Sequence, residues 1–179
     1  MNNTHLFSSL AEKYKYRPGY PPQLLSILRD NHGLKQQHVI ADIGSGTGLF
    51  AKLFLEAGNT VYCIEPNKEM FEKCVQSLRS YNNFKPLLKT AEHTSLQDNC
   101  VNFISIAQAL HLFDSKKTRE ECLRIGKGNV PVILAWNFAD LQSEYFRDYR
   151  LFLSRHTNYN ANQPIEEIEN QHLEELDQK

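Results

Sequence analysis

Val39-Ile40-Ala41-Asp42-Ile43-Gly44-Ser45-Gly46-Thr47-Gly48-Leu49-Phe50 reads as a buried β-strand running into a glycine-rich turn and then a helix. The apolar run is short enough for a strand buried on both faces, and the glycines that end it accept backbone conformations closed to other residues. Lacking Cβ atoms, they also let a ligand lie against the main chain, beside the free N–H groups of the following first helical turn. This is the outline of a nucleotide-binding corner. A dinucleotide fingerprint spaces its glycines G-x-G-x-x-G. Here the spacing is G-x-G-x-G, with Asp42 two residues before the first glycine.

Leu49 to Ala57 keeps helical apolar spacing and stops at Gly58-Asn59. Thr60-Val61-Tyr62-Cys63-Ile64 then reads as a second strand, and it ends in Glu65. Glu65 follows Gly48 by seventeen residues, near the offset of about 20 at which an acid meets ribose hydroxyls in nucleotide-binding βαβ units. A solvated acid at a helix start is the competing reading, since the helix dipole favours negative charge there. The glycine loop at the matching distance favours ribose.

On these residues the chain resembles the class I S-adenosylmethionine (SAM) dependent methyltransferases. Asp42-Ile43-Gly44-Ser45-Gly46-Thr47-Gly48 looks like their first motif and Glu65 like their second acid. Tyr14-Lys15-Tyr16-Arg17-Pro18-Gly19-Tyr20-Pro21 resembles the cap segment of small-molecule members. Thr90-Ala91-Glu92 is similar to the loop after their third strand, and Ala107-Gln108-Ala109-Leu110-His111-Leu112-Phe113-Asp114 to the segment after the fourth. The resemblance implies SAM as cofactor and a small-molecule methyl acceptor. A non-catalytic SAM-binding module and a protein or RNA methyltransferase are the alternatives. The cofactor set it implies is Asp42, Gly44, Ser45, Gly46, Gly48, Glu65, Pro66, Asn67, Thr90, Ala91, Glu92 and Gln108. His111 is then the candidate base, and Tyr14, Arg17 and Tyr20 are candidate lid or substrate residues. Where the family often carries an acid for the adenine amino group this chain has Thr90, and where related sequences carry tryptophan it has Leu112.

Composition narrows the partners. The formal net charge is −1 at pH 7, and the basic residues are scattered, so a phosphate backbone gains no general attraction. Nucleic acid is disfavoured as a substrate. No apolar run approaches the roughly 18 residues of a membrane span, and Met1-Asn2-Asn3-Thr4-His5 has no signal-peptide character, so the cytoplasm is the expected compartment. Cys63, Cys74, Cys100 and Cys122 show no metal-ligand spacing, and no metal is expected. Cys63 and Cys74 read as small buried residues. A homodimer is compatible with this composition.

Outward from the glycine corner the elements alternate. A helix is expected over Tyr20 to Asp30, ending at Asn31-His32-Gly33, and another over Asn67 to Ser80. Strands are expected near Phe84 to Leu88, over Val101 to Ile106 and over Val130 to Trp136, with a helix over Ser115 to Ile125 between the last two. Pro131 must sit near a strand start because it cannot donate to the ladder. The expected fold is α/β, a doubly wound, mostly parallel, Rossmann-like sheet with helices on both faces and without the family's last antiparallel strand pair. Phe138 to Ser154 reads as a helix. The domain expectation is a SAM-binding unit over 1–154, including cap helices in 1–33, and a polar acidic tail over 155–179 with helical spacing.

Overall fold

A computed structural model describes residues 17–137 and 143–156. Tyr14, the start of the cap segment and the acidic tail after His156 lie outside the described residues. The chain divides into two compact units, 1–135 and 136–179.

In the first unit the order of elements is α1 (Gln23–His32), β1 (Val39–Ile43), α2 (Leu49–Glu56), β2 (Thr60–Ile64), α3 (Lys68–Leu78), β3 (Phe84–Leu87), β4 (Phe103–Ala107), α4 (Ser115–Ile125) and β5 (Val132–Ala135). A single 3₁₀ turn, Leu110–Leu112, lies between β4 and α4. The five strands form one sheet in the order β3-β2-β1-β4-β5, and every adjacent pair is parallel. The chain runs outward from β1 to one edge and then returns to start again on its other side. That reversal places a crevice at the carboxyl ends of β1 and β4, where open α/β sheets bind ligands.

Side-chain alternation along the strands sorts the core into two layers. Ile40, Val61, Cys63 and Phe103 pack with Leu28, Phe50, Phe54, Cys74 and Leu78 of α1, α2 and α3. Ala41, Ile43, Ile64, Ile104 and Ile106 pack on the opposite face with Cys122 and Ile125 of α4. Fully burying one such side chain stabilises the fold by about 1.5 to 3 kcal/mol. Asp42 and Ser105 are buried polar residues of this sheet and stand side by side in register on adjacent strands.

Several boundaries move from the sequence expectation for local reasons. β4 begins at Phe103 rather than Val101 because Asn102 turns its amide inward: Val39 N–H donates to Asn102 Oδ1 at 3.0 Å. Val101 instead forms an isolated bridge with Gly126. Pro131 lies just outside β5, as its missing N–H requires. The helix expected from Asn67 starts at Lys68, since Asn67 caps it by accepting from Met70 N–H at 3.0 Å.

In the second unit α5 spans Glu144–His156. Its start is capped by Ser143 Oγ, which accepts from Phe146 N–H at 3.1 Å. Near its end Phe152 and His156 stack with centroids 4.3 Å apart. Among the described residues no helix is long and apolar enough to cross a membrane.

Candidate functional site

The glycine loop leaves β1 fastened to the end of the neighbouring strand. Gly44 N–H and Ser45 N–H both donate to Ile64 O, at 2.9 and 3.0 Å. The three glycines then do different work. A Cβ on Gly44 would stand 2.7 Å from Ala109 Cβ and from Phe113 Cζ, and one on Gly48 would stand 2.8 Å from Cys74 Sγ. Those two positions are bare because neighbours already fill the space. A Cβ on Gly46 would meet nothing within 4 Å. Gly46, at φ +55°, is the place where the backbone lies open to a ligand.

Glu65 faces that opening from the end of β2. It is 7% exposed. Its Oε2 accepts from Gly46 N–H and its Oε1 from Asn67 N–H, both at 2.8 Å. Burial raises its pKa, and the two N–H donors work against that shift. A carboxylate offers about four lone-pair sites. Two are occupied, so each oxygen keeps capacity for a further donor such as a hydroxyl. Pro66 is half-buried and stands between Glu65 and the capping Asn67.

Asp42 lies beneath the loop, 1% exposed. Ser105 Oγ donates to its Oδ1 at 2.7 Å. Its Oδ2 makes no well-formed hydrogen bond, although the Ala51 N–H in the first turn of α2 lies close enough to favour the charged form. Burial dominates and carries the Asp42 pKa from 3.8 to about 7, with the Glu65 charge adding to the rise. Asp42 therefore ties β1 to β4 through Ser105 and faces the first turn of α2. Ser45, also buried, has an Oγ without a hydrogen-bond partner among the described residues.

The segment after β4 forms the other side of the crevice. Gln108 takes a left-handed conformation, φ +53°, while its N–H donates to Ala135 O at 2.8 Å. Its side-chain Oε1 accepts from Arg17 Nη1 at 3.0 Å, which joins the cap segment to the end of β4. The 3₁₀ turn follows, with His111 exposed and Leu112 44% exposed. Phe113 and Ala109 fill the space beside Gly44, so the turn that carries His111 rests on the glycine loop. Tyr20 packs its ring on Phe50 of α2, centroids 4.4 Å apart.

Beyond β3, Thr90 is exposed and Ala91 is buried. Glu92 Oε1 accepts from Asp114 N–H at 3.0 Å, linking this loop to the cap of α4. The structure thus links Glu65 to Gly46 and Asn67, Arg17 to Gln108, and Glu92 to Asp114. Sequence reasoning passed over Ser105, whose signal was a hydroxyl inside the apolar run Phe103-Ile104-Ser105-Ile106. It also passed over Phe113 as the filler of Gly44.

Comparison with known proteins agrees with this geometry. The family described as "Methyltransferase domain" matches residues 41–134, just over half of the chain. An uncharacterized methyltransferase of Mycobacterium tuberculosis is 29% identical over 150 residues, covering 83% of this chain and 59% of the relative. One from Schizosaccharomyces pombe is 24% identical over 134 residues, covering 74% of this chain and 52% of that one. The chain therefore spans between half and three-fifths of these relatives' length. Among solved structures, a protein from Anaeromyxobacter dehalogenans assigned as a type II methyltransferase aligns with TM-score 0.64 at 20% identity, covering 79% of this chain and 57% of that one. A protein from Methanococcus maripaludis assigned as an S-adenosyl-L-methionine-dependent methyltransferase aligns with TM-score 0.61 at 15% identity, covering 98% and 82%. At those identities the likeness shows the fold.

Proposed function

This chain belongs to the methyltransferase domain family, and from that premise we propose that it binds SAM at the carboxyl ends of β1 and β2 and transfers the methyl group to a small-molecule acceptor. The observation that carries the reading is the Gly46–Glu65 corner. It combines an open, Cβ-free stretch of backbone with a buried carboxylate that keeps unused acceptor capacity. A vicinal diol fits that acceptor set, and the residues present therefore suit an adenosine cofactor.

When bound, SAM supplies a methyl group already activated for displacement on its sulfonium. The chain's own residues then have to bind, orient and exclude water. Glu65 accepts from the ribose hydroxyls. Phe113, seated against Gly44, closes the crevice from the β4 side. His111, exposed on the turn above it, takes the proton from an acceptor that arrives as a hydroxyl, amine or carbon acid. A carboxylate acceptor needs no base. The cap segment joined to the crevice through Arg17 and Gln108 and the net charge of −1 support a small acceptor over a nucleic acid. Four free thiols suit a reducing compartment such as the cytoplasm.

The test is calorimetric titration with SAM, S-adenosylhomocysteine and NAD. Micromolar binding of both sulfur ligands with no NAD signal is expected, and absence of binding by all three defeats the reading. Glu65→Ala should weaken SAM by well over tenfold, since a buried acceptor of two hydroxyls is lost. A loss of only a few-fold counts against the ribose contact. Labelled-methyl incorporation, compared between the small-molecule and macromolecular fractions of an extract, decides the acceptor class.

A further inference from the structure

α5 turns an aromatic face to solvent. Tyr145, Tyr149, Phe152 and His156 follow one another at i, i+4, i+7 and i+11, so they line one side of the helix over about 16 Å. Tyr145 is 80%, Phe152 56% and Tyr149 46% exposed, and His156 is exposed as well. Phe146, Arg150, Leu153 and Ser154 occupy the more covered side. Among the described residues no other phenylalanine, tyrosine or tryptophan is exposed to this extent. A contiguous apolar surface of this kind marks a contact with another molecule. A row of charges runs beside the stripe. Glu144 and Asp148 stand toward its amino end and Arg155 toward its carboxyl end. Glu144 pairs with Arg147 at 3.1 Å. Asp148 and Arg155 are seven residues apart, about 10 Å along the axis, and cannot meet within the helix. One end of the row is thus acidic and the other basic.

We infer that this face is the interface of a symmetric dimer, in which α5 lies antiparallel along α5 of a second copy of the chain. The charge row selects that partner and that direction. In a two-fold pair the same surface meets itself, and two helices packed end for end bring the same flanking row of each into contact. The acidic end of one row then faces the basic end of the other, whereas a parallel pair would set acid on acid and base on base. A two-fold axis crossing between Arg150 and Leu151 sets Tyr149 opposite the partner's Phe152 and Tyr145 opposite the partner's His156, because the members of each pair are equally far from it. Asp148 comes level with the partner's Arg155 to within about 3 Å. The area agrees with a weak association. At about 200 Å² for a whole aromatic side chain, the exposed parts of the three rings come to about 350 Å² per protomer. With His156 and the charged row a pair buries about 1,000 Å², the lower end for a specific interface. A dissociation constant in the micromolar range follows. Nothing in this inference depends on the cofactor.

The experiment is sedimentation equilibrium of the full chain from about 1 to 500 μM, a range that brackets a micromolar dimer. The wild type should pass from monomer to dimer within it. Phe152→Ser should weaken the association by more than about tenfold, since the symmetry removes two central rings from each dimer. Asp148→Arg and Arg155→Asp should each weaken it by about tenfold, by setting like charges opposite one another at two places. The double variant Asp148→Arg/Arg155→Asp should return to within about threefold of the wild type, because the row is again complementary. A monomer at every concentration overturns the inference and leaves the stripe to a different occupant. A dimer that Phe152→Ser and Asp148→Arg leave unchanged overturns it too, since the copies then meet through another surface. Failure of the double variant to recover overturns the antiparallel pairing. All these side chains are exposed, so folding should be kept; if Phe152→Ser alters the thermal melt, the charge variants give the same comparison.

Discussion

Asn in place of Asp42 isolates the cost of a buried charge at the centre of the sheet. In the fold burial carries the Asp42 pKa from 3.8 to about 7, so the folded state holds a proton over a pH range in which the unfolded state has released it. Stability contributed by that proton is complete below about pH 3.8 and is lost as pH rises through about 7. At pH 8 the carboxyl is ionised in both states and the contribution is near zero. At pH 6 the folded carboxyl is protonated roughly ten to one while the unfolded one is ionised, which is worth about 1.4 kcal/mol. At pH 5 it is worth about 2.7 kcal/mol by the same relation. For a chain of this size 1.4 kcal/mol corresponds to about 3 to 6 °C in Tm. The assay is urea unfolding of the ligand-free wild type and Asp42→Asn at pH 5, 6, 7 and 8. The wild type should gain stability relative to Asp42→Asn by about 1.4 kcal/mol between pH 8 and pH 6. A constant offset at every pH is expected, because the amide places a donor where Oδ2 now sits. It does not bear on the slope. Glu65, whose pKa is also raised, titrates in both proteins. Parallel pH profiles for the two proteins would refute the argument, since they mean that Asp42 stays ionised beside Ser105 and the first turn of α2.

Three further outcomes follow from neighbouring groups. Ser105→Ala removes the hydroxyl that lowers the Asp42 pKa, so the pH midpoint of the same profile should move upward, and an unmoved midpoint would count against the 2.7 Å bond as a titration partner. Gly46→Ala should cost about 1 to 2 kcal/mol of stability from its left-handed backbone alone and should weaken SAM further. Gly48→Ala, which adds a clash with Cys74 and Leu78, should cost more in stability, and thermal melts with SAM titrations read both halves of that contrast. Asn67→Ala should lose about 1 kcal/mol of stability from the missing cap on α3, measured by chemical denaturation.

The succession of strands and helices along the chain and the glycine corner were legible because they rest on local signals. Period, glycine spacing and an acid at a strand end each fit within one βαβ unit. Ser115 to Ile125 is the helix its periodicity predicts, and Asp114 caps it through Lys117 N–H at 3.1 Å. What stayed hidden depends on residues far apart in the chain. Gly44 and Gly48 look like ligand-facing glycines in the sequence. Only the fold brings Phe113 and Cys74 against them and leaves Gly46 as the open position. Glu92 reads as a cofactor residue, and its bond to Asp114 spans an interval that no pattern encodes. Ser105 and Asp42 form a pair only once β4 lies beside β1. The second unit was partly legible: α5 covers Glu144–His156, within and just beyond the expected helix, while residues 138–142 lie outside the described part.

The strand order also has a kinetic meaning. Everything on the β2–β3 side of β1 is contributed by consecutive elements, whereas Asp42 meets Ser105 across a separation of 63 residues. Closing that contact spans roughly three times the chain length of the Asp42–Cys63 pairing and costs about 1 kcal/mol more in loop entropy. Mutations along β1, α2 and β2 should accordingly show higher φ-values than those in β4 and α4. The crevice straddles the boundary between the two halves, so a chain caught before β4 docks would carry its glycine loop and Glu65 but lack the wall formed by Phe113.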